Sequence, residues 1–139
     1  MSRTSITLVA IALTAALCGC AATTDVPYAR TFPAHLPIEE GTVNIQVIQG
    51  EQTLRFTNTS ATDFGPFDLW INKWYVRPFN GLAIGETRTI PLREFRDEFS
   101  QPIRAGGFFA TEAPEALVSA HIEQDGSLRR LIVIPRRVR

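Results

Sequence analysis

The 139-residue chain has only two cysteines, Cys18 and Cys20, both within its first twenty residues. A disulfide framework or a cysteine-based zinc site is therefore excluded from the rest of the chain. Histidine is equally scarce: His35 and His121 are far apart, and the pattern His-Glu-x-x-His does not occur. There is no Gly-x-Ser-x-Gly elbow and no glycine-rich loop of the kind that cradles phosphate. The adjacent carboxylates Glu39-Glu40 and Asp97-Glu98 would point to opposite faces of a strand, so neither pair reads as an acid–base couple. The expectation is a protein without metal, cofactor or catalytic residues, and not an enzyme. Charge of one sign is not in excess either. Fourteen basic residues balance fourteen acidic ones, which argues against nucleic acid as a partner. With 45% apolar and 20% charged residues, the composition is that of an ordinary globular domain.

No apolar run is long enough to cross a bilayer, which takes roughly 20 residues. The longest, Ile6 to Leu17, is broken by Thr7 and Thr14 and follows Arg3. A short basic start followed by a dozen mostly apolar residues fits a cleaved export signal. Directly after it stands Leu17-Cys18-Gly19-Cys20. This tetrapeptide resembles the lipobox of bacterial lipoproteins, matching at Leu17, Gly19 and Cys20. It departs at Cys18, where Ala, Ser or Thr is usual. The resemblance covers residues 1–21 only. It implies cleavage before Cys20 and acylation of that cysteine (a diacylglycerol thioether and, as with palmitate, an amide-linked chain). Ala21 is not the aspartate that favours inner-membrane retention in that family. The implied location is the cell envelope, anchored by lipid in the outer membrane and facing the periplasm.

Beyond the signal at 1–19, residues 20–41 carry Pro27, Pro33 and Pro37 without apolar periodicity. They read as a tether able to reach on the order of 60 Å, although Val26, Tyr28, Phe32 and Leu36 are apolar enough to pack on the domain instead. A β-domain is expected over 42–136, with a basic end at 137–139. Val43, Ile45 and Val47 alternate with polar residues, as do Leu54 and Phe56. A Gly50-Glu51 turn with glycine first would pair Val47 with Leu54 and Ile45 with Phe56. A second hairpin turns at Asn72-Lys73. Its expected register pairs Ile71 with Trp74 and Leu69 with Val76 on one face, and Trp70 with Tyr75 and Asp68 with Arg77 on the other. Thr87 to Leu92 reads as a strand, Leu92, Phe95 and Phe99 fall at helical spacing, and Phe108-Phe109 reads as a strand start after Gly106-Gly107. The final hairpin runs from Leu117 to Pro135 about Asp125-Gly126, a strong turn signal. Leu131 to Ile134, apolar on both faces, reads as a strand covered on both sides. About seven short strands with at most one short helix predict an antiparallel β-sandwich, immunoglobulin-like in pattern, with a small β-barrel as the alternative.

Two features suggest binding. Trp70 and Tyr75 side by side, with Asp68 and Arg77 adjacent, would form an aromatic platform for a sugar ring or a protein; the alternative is that the tether or the Phe95/Phe99 segment covers that face. Arg129, Arg130, Arg136, Arg137 and Arg139 put five positive charges and no acid into the last eleven residues. They would suit lipid phosphates or an acidic partner, or simply a solvated strand end. Asn58-Thr59-Ser60 matches a glycosylation sequon but reads more simply as a turn. The expected function is that of a lipid-anchored, non-catalytic envelope protein, attached to the membrane through Cys20 and acting as a structural or protein-interaction domain. The competing expectation is a carbohydrate- or peptidoglycan-binding module using the aromatic face.

Overall fold

The computed structural model describes residues 25–135. The signal-like segment, Cys20 and the three arginines Arg136, Arg137 and Arg139 lie outside the described residues. Seven strands form: β1 (Ile38–Gln49), β2 (Thr53–Asn58), β3 (Phe67–Ile71), β4 (Tyr75–Phe79), β5 (Thr87–Pro91), β6 (Ala120–Gln124) and β7 (Ser127–Ile134). They make one sheet in the order β4-β3-β6-β7-β1-β2-β5. Among the described residues, the helical spacing after Leu92 yields only a single 3-10 turn, Leu92–Glu94.

The all-β expectation and its seven strands are found, but the two-sheet sandwich is not. The reason is the pairing of β1 with β7, which is parallel whereas every other ladder is antiparallel. That ladder joins β2-β5 to β4-β3-β6, two groups that a sandwich would place in separate layers. The β1/β7 register shifts twice, between Ile38 and Thr42 and between Val43 and Gln46, with Gly41 at φ +84 in the first shift. Such irregularities bend a strand and increase its twist. The resulting curl is strong. Phe79 of β4 meets Phe56 of β2 with ring centroids 4.9 Å apart, although a flat sheet would separate those strands by about 24 Å at 4.8 Å per step. The sheet is thus an open half-barrel, neither a sandwich nor a closed barrel. Its concave face holds the main core, including Ile45, Val47, Leu54, Leu69, Ile71, Ile122 and Leu131. Leu92, Phe95 and Ile103 complete that core from the β5–β6 connection.

Turn positions decide the registers. In the first hairpin Gly50 N–H bonds to Thr53 O at 2.7 Å, so the turn residues are Glu51 and Gln52 rather than Gly50 and Glu51. Val47 consequently faces Phe56, and Ile45 faces Asn58. This is a slip of two from the expected pairing; it keeps every side chain on its face, so the apolar set stays in the core. In the second hairpin Asn72 and Lys73 take φ of 55° and 56°, as a type I′ turn requires, but Trp74 is an extra residue before β4. Ile71 therefore faces Tyr75, and Trp70 faces Val76. A slip of one flips a whole strand, and here it moves Tyr75 into the concave core and away from Trp70. The last hairpin turns at Asp125-Gly126 as expected, with Gln124 opposite Ser127.

The convex face has its own small core of Trp70, Val76 and Leu128, covered by Tyr28, Phe32 and Leu36. The proline-containing segment is thus folded against the sheet over 25–37, and Ile38 already belongs to β1.

Candidate functional site

The four residues expected to form a binding face are separated. Trp70 is fully buried on the convex side. Phe32 packs edge-on against its ring at 5.2 Å, and its indole N–H donates to Glu123 Oε2 at 2.8 Å. Tyr75 is buried in the concave core and donates its hydroxyl to Glu115 Oε2 at 2.7 Å. Arg77 pairs with Glu94 at 2.8 Å and lies over the Phe79 ring. Asp68 faces Glu123 on the neighbouring strand, and Arg30 donates to both, at 2.6 and 2.7 Å. No flat pair of exposed rings results; the face expected to bind is the one that the proline-containing segment covers.

The remaining candidates divide similarly. Arg129 bonds to the Gln124 side chain and sits over the Phe64 ring, while Arg130, next in the strand, is exposed. His121 is buried beside Phe32, and its Nδ1 makes no hydrogen bond. Burial pushes the imidazole pKa down, and Lys73 and Arg130 push it further in the same direction. The imidazole is therefore neutral near pH 7 and has cations, not a carboxylate, for electrostatic neighbours. Among the described residues no three His, Cys, Asp or Glu side chains gather as a metal site. Asn58 is buried and caps its own turn, accepting from Ser60 N and Ser60 Oγ and donating to Thr62 O.

What sequence reading missed is the end of the half-barrel where β1 and β7 finish. Because β6 is antiparallel to β7 and β3 to β6, that end also carries the β3–β4 turn and the start of β6. The connection from Arg104 to Ser119 is laced across it by buried and half-buried polar groups. The Gln49 side chain, 8% exposed, donates to Glu115 O and accepts from Leu117 N, at 2.6 and 2.8 Å. Asn72 donates to Ala116 O and accepts from Val118 N, both at 2.8 Å. Gly106 N–H bonds to Glu51 O in the β1–β2 turn. Between these fixed points the loop lifts Phe108 and Phe109 into solvent, 93% and 91% exposed, with their rings 5.0 Å apart edge to face. Trp74, Phe99 and Val118 are exposed at the same end. The sequence signal was Gly106-Gly107 before two aromatics, which reads equally well as a strand start.

At the opposite end lies a shallow groove of about 380 Å³, lined by the acids Asp68, Glu123 and Asp125 together with Pro66, Pro78 and Asn80. No protein-family model, curated protein or solved structure matches this chain. What is shown is therefore a class, an all-β protein built on one curled mixed sheet.

Proposed function

We propose that this is a lipid-anchored, non-catalytic protein of the bacterial envelope, attached through Cys20, whose domain serves as a rigid structural or protein-interaction unit. The observation that carries the reading is the tetrapeptide Leu17-Cys18-Gly19-Cys20 at the end of a signal-like apolar run. The domain's polar chemistry agrees with it. Arg30, Asp68, Glu123 and Trp70 are engaged with one another, and Gln49, Asn72, Tyr75 and Glu115 close a loop. These groups are committed to holding the fold, and of them Asp68 and Glu123 also line the shallow groove about Asp125. Three acyl chains anchor far more firmly than the one chain that binds a bilayer only marginally.

Mass spectrometry of the protein from membranes tests this. The expected species begins at Cys20 and carries acyl chains, and Cys20→Ser abolishes them. A mature protein cleaved elsewhere, or a Cys20 without acyl chains, would overturn the reading.

A further inference from the structure

Among the described residues seven large apolar side chains are exposed, and five of them, Trp74, Phe99, Phe108, Phe109 and Val118, lie at the end where β1 and β7 finish. Ile38 and Ile84 are at the other. Large apolar side chains left exposed together at one end of a domain mark something that end contacts. Both chain termini of the described region point to the same end. Asp25 accepts a hydrogen bond from Ser100 Oγ at 2.8 Å. Ser100 belongs to the turn after Asp97, whose carboxylate accepts from Trp74 Nε1. β7 stops at Ile134 on that end, and the sequence continues Pro135-Arg136-Arg137-Val138-Arg139. Cys20 precedes Asp25 by five residues, a span of about 17 Å even when fully extended. The segment that would have lengthened the spacer, residues 25–37, is instead packed on Trp70 and Leu128.

We infer that the end carrying Trp74, Phe99, Phe108, Phe109 and Val118 is a membrane-contact surface, seated in the phospholipid bilayer that holds the acyl chains on Cys20. This rests on the lipid-anchor reading above. The short leader brings this end down to the headgroups, where Phe108 and Phe109 enter the acyl boundary. Trp74, which keeps an N–H on a half-exposed ring, suits the interfacial layer. The rim includes the acids Glu51, Glu98 and Glu112, so insertion is apolar in origin and proceeds in neutral phosphatidylcholine. The acidic groove about Asp125 then faces away from the membrane.

The test uses the acylated protein in phosphatidylcholine vesicles with and without brominated acyl chains, which quench nearby indoles. Trp70 lies beneath Phe32, and Trp74→Phe supplies its baseline. The expected result is quenching of the Trp74 emission in wild type and its loss in the Phe108→Ser/Phe109→Ser variant, whose melting temperature stays unchanged because both rings are exposed. The mature chain with Cys20→Ser should still partition into these vesicles, at least about tenfold less when both phenylalanines are replaced. Acylated protein with unquenched Trp74 overturns the inference and leaves the anchor standing. Sedimentation showing a dimer that the Phe108→Ser/Phe109→Ser variant no longer forms overturns it as well. If Cys20 carries no acyl chains, the anchor reading fails, and the partitioning of the unacylated chain still decides the surface.

Discussion

Asp68 and Glu123 stand directly opposite each other on β3 and β6, two like charges in a cross-strand position that by itself is destabilising. Arg30, thirty-eight residues before Asp68 in the chain, donates to both and lies over the Trp70 ring at 4.8 Å. One cation from the proline-containing segment thereby neutralises a repulsion built into the sheet and fastens that segment to it. Burial works against the Arg30 charge, and the hydrogen bonds to Glu123 and Asp68 more than offset it, so its pKa lies above the ordinary value.

Replacing Arg30 with Gln should therefore cost about 1–2 kcal/mol, less than a fully buried pair because all three groups remain partly exposed. Adding Asp68→Asn should recover part of the loss, since it removes one of the facing charges. Urea denaturation of the single and double variants measures this; a double variant as unstable as the sum of the singles would contradict the coupling.

Phe32→Ala should cost about 2–3 kcal/mol, below the range of about 3–5 kcal/mol for a fully buried phenylalanine because the ring is only half-buried. It should also shift the Trp70 emission to the red as water reaches the indole. An unshifted spectrum would mean that the segment does not cover Trp70 in solution.

The buried imidazole of His121 has a pKa pushed below its ordinary 6.5. The unfolded chain therefore takes up a proton at higher pH than the folded chain does, and folding stability should fall as pH drops from about 7 towards 5. His121→Gln removes the titrating group, so the difference in denaturation midpoint between pH 7 and pH 5 should shrink. An unchanged pH slope would place the acid sensitivity elsewhere.

Tyr75→Phe and Gln49→Ala should loosen the connection that carries Phe108 and Phe109. Burial raises the Tyr75 hydroxyl's pKa, and its bond to Glu115 raises it further, so the group remains a donor throughout the neutral range. Each variant should cost about 1–2 kcal/mol. Amide exchange at Glu115 and Leu117 should rise before that of the sheet. Uniform protection across the loop would contradict its closure by these side chains.

The strands were legible because alternation fixes which residues face the core, and a two-residue slip in the first hairpin leaves that alternation intact. Ile45, Val47, Leu54 and Phe56 are core residues in either register. The second hairpin shows the limit. Asn72-Lys73 was a correct turn, but one added residue, Trp74, exchanges the faces of β4, and no local pattern distinguishes the two counts. The parallel β1/β7 ladder was equally invisible, since it joins residues about ninety positions apart and converts two expected layers into one curled sheet. Arg30 was unreadable for a related reason. Its role depends on Asp68 and Glu123 being neighbours, which only the tertiary arrangement brings about. Phe108-Phe109 carried a real signal whose meaning, strand or exposed tip, was set by the polar anchors Gln49 and Asn72.

The central claim, that a short leader seats the aromatic end on the bilayer, is tested most directly by neutron reflectometry of the acylated protein on a supported phosphatidylcholine bilayer. The account predicts protein density that begins at the headgroups with no intervening water layer. A resolved layer of solvent between the lipid surface and the domain would contradict it.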